Sequence, residues 1–290
     1  MLPSLLSASD DYALIASARP FIKWAGGKSR LIEQYKPFLP ADYTRYHEPF
    51  LGGAALFFYL APQLKAQGKR AFLSDLNPEL VTVYLCVRDE VEALIEQLKV
   101  HQARHEKAYY YEVRSQLETD PIARAARFIY LNKTCYNGLY RENSRGLFNV
   151  PMGRYKKPKI CAPDLLRAAS AALQIADISE RPFCAVLEQA RDENDFVYFD
   201  PPYHPLSETS NFTGYSRYRF GEVQQRELKE VMQQLRDRKV SFLTSNSDCL
   251  FIRDLYKDFA VETITAVRSI NSKASKRGKI TEVLATSLVS

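Results

Sequence analysis

Segments of strand character recur along the chain at residues 46–50, 70–74, 174–178, 196–199, 240–244, 261–266 and 282–287. Helical patterns lie between most of them, at 78–88, 91–105, 163–172, 221–238 and 248–255. A chain that switches repeatedly between short apolar runs and a period near 3.6 residues buries both kinds of element by winding helices over a largely parallel sheet, so the pattern predicts an α/β fold. Residues 90–159 interrupt the rhythm. They hold helices, one of which places Ile122, Ala126, Ile129 and Lys133 on one face, and then a turn-rich stretch from 134 to 158. This interval is expected to be an inserted, mostly helical second domain, with residues 20–89 and 160–290 forming the sheet domain. The 290 residues, 46% of them hydrophobic, suffice for one large domain carrying such an insertion. Residues 1–19 contain Asp10 and Asp11, lack the basic flank of a signal peptide, and read as a loosely ordered extension.

The strand Phe196-Val197-Tyr198-Phe199 runs directly into Asp200-Pro201-Pro202-Tyr203. It delivers a carboxylate, two residues without backbone N–H groups and an aromatic ring to a strand's carboxyl end, where open α/β sheets bind ligands. That set suits a planar amine. The lone pair of an exocyclic amino group on a nucleobase is delocalised into the ring, and the nitrogen becomes a nucleophile when its hydrogens are drawn toward acceptors. Asp200 offers one acceptor, a carbonyl of Pro201 or Pro202 the second, and Tyr203 a ring to stack on the base. The competing reading is a plain strand-ending turn, since Asp and Pro are common turn residues.

Two glycine-bearing segments come earlier. In Glu48-Pro49-Phe50-Leu51-Gly52-Gly53-Ala54 a strand ends in paired glycines and enters a helical pattern at 55–60, a geometry that lets a ligand approach the backbone. The G-x-G-x-x-G spacing of a dinucleotide site is absent. Asp75 lies about 20 residues further on, at the end of the next strand, where an acid accepts hydrogen bonds from ribose hydroxyls. The same residue is also a candidate cap for the helix at Asn77-Pro78-Glu79. The other segment, Phe21-Ile22-Lys23-Trp24-Ala25-Gly26-Gly27-Lys28-Ser29, copies the end of a phosphate-binding loop. Ile22 stands where its first glycine belongs, so an ATPase reading loses its support. Trp24, the only tryptophan, is either a core residue or an aromatic face for a purine or an amino-acid carboxylate.

A formal net charge of +6 favours a polyanionic partner weakly, and its distribution says more. Residues 154–159 carry Arg154, Lys156, Lys157 and Lys159, and residues 268–279 carry Arg268, Lys273, Lys276, Arg277 and Lys279, neither stretch with an acid. Either one alone reads as a solvated loop; the pair reads as a surface that follows phosphates. The five cysteines, Cys86, Cys135, Cys161, Cys184 and Cys249, are odd in number and form no C-x-x-C pair, which suggests neither a disulfide framework nor a zinc site and fits a reducing cytoplasm. The longest apolar stretch, 50–62, is shorter than the roughly 20 residues a bilayer span needs, so no membrane partner is expected.

Lys23-Trp24-Ala25-Gly26-Gly27-Lys28, Glu48-Pro49-Phe50-Leu51-Gly52-Gly53, Asp75 and Asp200-Pro201-Pro202-Tyr203, in this order, resemble the Dam family of S-adenosylmethionine-dependent DNA adenine-N6 methyltransferases. The likeness runs from about Pro20 to the C-terminus. Tyr136-Asn137-Gly138-Leu139-Tyr140-Arg141 and Phe148-Asn149-Val150-Pro151-Met152-Gly153-Arg154-Tyr155-Lys156 are similar to the target-recognition hairpin of its branch acting on GATC. The resemblance implies a Rossmann-like methyltransferase sheet with an inserted, mostly helical DNA target-recognition domain. It implies S-adenosylmethionine as methyl donor, no metal, double-stranded DNA as partner, action as a monomer, and a cytoplasmic location at the nucleoid.

By the same resemblance Trp24, Lys28, Asp75 and Asp200 contact the methyl donor, with Phe50, Gly52 and Gly53 shaping its pocket. Asp200, Pro201, Pro202 and Tyr203 hold a flipped adenine. Tyr136 wedges into the duplex, Leu139 and Arg141 read base edges, and Arg154 and Lys156 hold phosphates. Lys23, Asn137 and Tyr155 complete the expected DNA-binding set. Arg pairs bidentately with a guanine edge, whereas Arg and Lys on phosphates carry no sequence information. Many relatives have a third glycine where Ala54 stands, a departure expected to narrow the cofactor turn without abolishing binding.

Two other functions remain open at this level. One is methylation of cytosine, RNA or a protein glutamine, for which an Asn at position 200 would have been the better sign of an amide substrate. The other is a catalytically silent DNA-binding module. A solitary chromosomal methyltransferase, a restriction partner and a phage copy would share these residues.

Overall fold

The computed structural model of the protein describes residues 8–143, 145–206, 220–267 and 279–287. In chain order its elements are α1 (Ala8–Ala16), α2 (Ile32–Tyr35), β1 (Arg45–Glu48), α3 (Ala55–Ala66), β2 (Arg70–Asp75), α4 (Pro78–Asp89), α5 (Val91–Ala103), α6 (Lys107–Ser115), α7 (Pro121–Thr134), α8 (Pro163–Leu173), β3 (Ala176–Glu180), α9 (Val186–Gln189), β4 (Asp195–Phe199), α10 (Glu222–Asp237), β5 (Ser241–Ser247), α11 (Leu250–Leu255), β6 (Ala260–Val267) and β7 (Lys279–Thr286). The seven expected strands are all present, their ends moved by at most three residues.

The strands join in the order β3-β2-β1-β4-β5-β7-β6, the Rossmann-like methyltransferase sheet. β1 and β5 flank β4 in parallel, with Tyr46 opposite Phe196 and Val197 opposite Phe242. All five residues of β4 are buried, which is why this strand reads as an unbroken apolar run rather than an alternating one. β7 runs antiparallel between β5 and β6, so that Glu282 faces Ser247 on one side and Ile264 on the other. The strand patterns in the sequence do not announce this insertion, because a hydrophobic period carries no direction.

Two compact units divide the chain. The first takes in residues 1–29, 52–71 and 77–180, and the second residues 30–51, 72–76 and 181–290. In the second unit α10 turns Leu228, Val231, Met232 and Leu235 into a core with Val197 and Phe199 of β4, Phe242 of β5, and Val283 and Ala285 of β7. Their spacing is the i, i+3, i+4, i+7 stripe of an amphipathic helix, and each such side chain contributes about 1.5–3 kcal/mol by leaving water. At the amino end of β4 the fully buried Asp195 accepts hydrogen bonds from Arg45 Nε at 2.8 Å and Arg45 Nη2 at 2.7 Å, pairs with His47 Nε2 at 2.7 Å, and accepts the Arg191 amide at 2.8 Å. Glu48, at the other end of β1, accepts the Tyr46 hydroxyl at 2.7 Å.

Among its described residues the first unit is mostly helical, with β3, the start of β2 and a bridged, non-helical stretch at 139–162. α7 buries Ala126 and Ile129 and leaves Ile122 and Lys133 half-buried. It opens on Asp120, whose side chain accepts the Ala123 amide at 2.8 Å ahead of Pro121. α4 opens the same way: Asn77 accepts the amides of Glu79 at 3.0 Å and Leu80 at 3.3 Å ahead of Pro78. The cap is therefore Asn77, which removes that role from Asp75. Residues 8–16 also differ from expectation. They form α1 rather than a loose extension, anchored by Ile15, which is only 1% exposed. Residues 1–7 and the basic positions Arg268, Lys273, Lys276 and Arg277 lie outside the described residues, and Lys279 opens β7. Among the described residues no helix is long and apolar enough to cross a membrane.

Candidate active site

Because β1, β4 and β5 are parallel, their carboxyl ends share one edge of the sheet. Asp200 leaves β4 at that edge. The Ser245 hydroxyl, on β5, donates to Asp200 Oδ1 at 3.0 Å, so the carboxylate is fixed by the neighbouring strand. The Pro202 carbonyl accepts Gln225 Nε2 of α10 at 3.0 Å. The Tyr203 hydroxyl donates to Glu282 Oε2 of β7 at 2.7 Å. Asn246 and Ser247 hold the next residue from both sides, Asn246 Oδ1 accepting the His204 amide at 3.2 Å and the Ser247 hydroxyl donating to the His204 carbonyl at 2.8 Å. The Asp-Pro-Pro-Tyr segment is thus braced by three elements. Burial, and after it the charge of Asp200, pushes the Tyr35 and Tyr198 hydroxyls well above the ordinary phenol range. For Tyr203 burial again comes first, with Tyr35, Asp200 and Glu282 adding to it. All three stay protonated, and the Tyr203 hydroxyl is thereby available as the donor to Glu282.

Phe50 packs in the same unit on Phe183, stacked at 5.4 Å, and against Phe199 and Phe220. Asp75 ends β2, where its carbonyl accepts the Arg181 amide at 3.2 Å, and the Leu51 amide donates to the Ser74 carbonyl beside it at 2.9 Å. Trp24, Lys28, Gly52 and Gly53 belong to the first unit. Gly52 and Ala54 both have positive φ, 45° and 52°, so the turn after β1 is left-handed at a glycine and again at an alanine. A Cβ on Gly53 would come 3.5 Å from the Trp24 Cβ. Trp24 stacks on Phe128 at 6.3 Å and leans on Tyr140 at 5.9 Å, and the buried Lys28 ammonium donates to the Gly26 carbonyl at 2.5 Å.

The recognition-type residues are all in the first unit. The two resembling stretches lie against each other: Cys135 bridges Met152 and Glu142 bridges Phe148, the Tyr136 amide donates to the Pro151 carbonyl at 2.8 Å, and Arg141 Nε donates to Asn149 Oδ1 at 2.7 Å. Tyr136, Asn137, Arg154, Tyr155 and Lys156 are exposed, whereas Leu139 and Arg141 are partly covered. Lys23 lies with its ammonium 3.9 Å from the Tyr155 ring centroid. Asn132 pins the Lys23 backbone from both ends, accepting its amide at 2.8 Å and donating to its carbonyl at 2.7 Å. The same side-chain nitrogen reaches the Gly138 carbonyl at 3.3 Å. Gly138 has φ of +64°, and a Cβ there would stand 2.6 Å from the Lys23 Cβ. Gly138→Ala is therefore expected to cost more than about 1 kcal/mol from the left-handed backbone alone, with the clash added. A denaturant midpoint equal to wild type would remove this packing argument. Nearby, burial and then the charges of Lys23 and Lys159 push the Lys133 ammonium down to about 8.

Ser245, Gln225, Glu282 and Asn132 went unnoticed in the sequence. A signal existed for the first: Thr244-Ser245-Asn246-Ser247 is a fully buried polar run at the end of a strand. Buried polar groups need partners, and such a run marks a network.

A sheet of this strand order, with an acid closing β2 and a proline-stiffened acid and tyrosine closing β4, is the arrangement expected above of a methyltransferase for a planar amine. Residues 24–270 match the D12 class of N6 adenine-specific DNA methyltransferases. The chain is 42% identical over 276 residues to the Type II methyltransferase M1.LlaDCHI of Lactococcus lactis subsp. cremoris, covering 92% of this chain and 95% of that one. It is 39% identical over 277 residues to the Type II methyltransferase M.MjaIII of Methanocaldococcus jannaschii, covering 89% and 95%. It is 37% identical over 271 residues to the DNA adenine methylase of Escherichia coli K12, covering 92% and 94%. The chain belongs to the D12 class of N6 adenine-specific DNA methyltransferases, and its family implies S-adenosylmethionine as methyl donor and DNA as substrate. Cytosine, RNA and protein amides, and the silent binding module, fall away with that membership.

Proposed function

We propose that the protein methylates the adenine N6 of 5′-GATC-3′ in duplex DNA, acting as a monomer in the cytoplasm on one strand at a time, after turning the target base out of the helix. The observation that carries the reading is the braced Asp200-Pro201-Pro202-Tyr203 segment at the carboxyl end of β4, with Ser245 on the acid and Glu282 on the tyrosine. A paired, stacked amino group cannot reach such a segment, so the base must leave the stack.

Asp200 accepts one hydrogen of the amine. Pro201 supplies the better second acceptor, because the Pro202 carbonyl already receives Gln225, while the Pro201 carbonyl has no protein donor among the described residues. Tyr203 stacks on the ring. The negative charge of Asp200 favours the positive charge that builds on the nitrogen. When bound, S-adenosylmethionine supplies an electrophilic methyl group on a sulfonium. The amine itself is the nucleophile in a direct, in-line transfer, so no side chain forms a covalent intermediate. Burial pushes the thiols of Cys86 and Cys135 up to about 11, which suits this division of labour. Trp24, Lys28, Gly52 and Gly53, and Phe50, Asp75 and Asp200, are the proposed methyl-donor contacts.

Residues 90–159 are proposed as the target-recognition domain. Tyr136 is the exposed wedge, Leu139 and Arg141 with Asn137 read the site, and Lys23, Arg154, Tyr155 and Lys156 follow the backbone. Mapping of methylated adenines in DNA from cells expressing the protein is expected to find modification at GATC. Modification at another sequence would overturn the site assignment and leave the chemistry standing.

A further inference from the structure

Glu282 has no part in the chemistry proposed above, yet it is a carboxylate only 8% exposed on an interior strand of the sheet. A buried acid is costly to keep unless its hydrogen bonds are good ones. It accepts the Tyr203 hydroxyl at 2.7 Å, a distance typical of a charge-assisted bond. Ser247, directly opposite Glu282 across the β5–β7 ladder, holds the carbonyl of His204, the residue after Tyr203. One rung of the sheet therefore fixes two consecutive residues of the loop that leaves Asp200.

We propose that Glu282 is a positioning residue for methyl transfer, acting through the Tyr203 hydroxyl to set the plane of the ring on which the target adenine stacks. This rests on the reading of Asp200–Tyr203 as the base clamp. A tyrosine anchored at its Cβ alone can swing its ring; one bonded at its far end to a buried carboxylate cannot. The adenine plane follows the ring, and the direction of its amino group follows the adenine plane. A misplacement of a fraction of an ångström costs rate rather than affinity.

The test is a double-variant cycle on the full chain, reading kcat and the Kd for target duplex. Glu282→Ala and Tyr203→Phe are each expected to lower kcat on the order of ten- to a hundredfold, with Kd changing by less than about threefold. The double variant is expected to fall no further than either single one, and Glu282→Gln, which keeps an acceptor oxygen, to recover most of the rate. Should Glu282→Ala not fold, Glu282→Gln and Tyr203→Phe preserve volume and carry the cycle. Unchanged kcat in both single variants, or losses that multiply in the double one, would overturn the proposal. Failure of the clamp reading itself looks different: Asp200→Ala would then remain active, whatever Glu282 does.

Discussion

Asp200→Ala is expected to bind its target duplex with near-wild-type affinity and to lose methyl transfer by at least on the order of a hundred- to a thousandfold. That range is typical when one preorganised electrostatic group is removed from a reacting centre. The residue stands at the end of a fully buried strand, and its carboxylate is fixed by Ser245 at 3.0 Å. Its removal leaves the sheet, the tyrosine and the hairpin proposed to bind DNA in place, so affinity is spared. Lost with it are one of two acceptors on the amine and the charge that favours the transition state. Asp200→Asn should fall between, since it keeps an acceptor oxygen but presents N–H groups to an amine that needs acceptors. Single-turnover transfer of labelled methyl, beside anisotropy of labelled duplex, separates the two quantities. Retention of more than about a tenth of wild-type turnover by Asp200→Ala would falsify the assignment.

The second large effect is on stability. Asp195 is completely buried, with Arg45 and His47 both bonded to it. Removing one partner of a buried pair costs about 3–5 kcal/mol, and the lower end applies here because the Arg45 side chain reaches water. Asp195→Ala is thus expected to cost about 3 kcal/mol at pH 7. Burial by itself would raise the Asp195 carboxyl, but the hydrogen bonds from His47, then Arg45 and the Arg191 amide, outweigh it and hold the group well below the usual carboxylate range. The folded value lies below the unfolded value of about 3.9, so the contribution is complete above roughly pH 4 and fades as pH falls further. Urea midpoints of wild type and variant should differ equally at pH 7 and 5 and converge toward pH 3. A gap that stays constant down to pH 3 would show that charge is not what Asp195 contributes.

Much of this architecture is legible in the chain because buried parallel strands leave a strong mark. Phe196-Val197-Tyr198-Phe199 and the stripe Leu228, Val231, Met232, Leu235 could be placed from periodicity alone. Pro78 marked a helix start that the structure contains. What escaped was of two kinds. The position of β7 between β5 and β6 is a matter of strand order, which apolar patterning does not encode. Ser245, Gln225, Glu282 and Asn132 act through partners 23 to 109 residues away in sequence, and a lone polar residue does not name its partner. Asp75 shows the converse: two local roles were available, and the cap went to Asn77 because its amide oxygen meets the N–H groups of residues 79 and 80.

The placement of β7 bears on when a copy of this protein can begin to work. β7 follows every other described strand in sequence, yet it is an interior strand of the sheet, and among the described strands β6 pairs with β7. As the chain leaves the ribosome, β1 to β5 can assemble while β6 still lacks the strand it pairs with. The sheet closes only when residues 279–286 emerge, and Tyr203 meets Glu282 in the same event. Synthesis itself thus sets a clock: a half-made copy can display its basic hairpin long before the edge of the sheet beside Asp200 is whole.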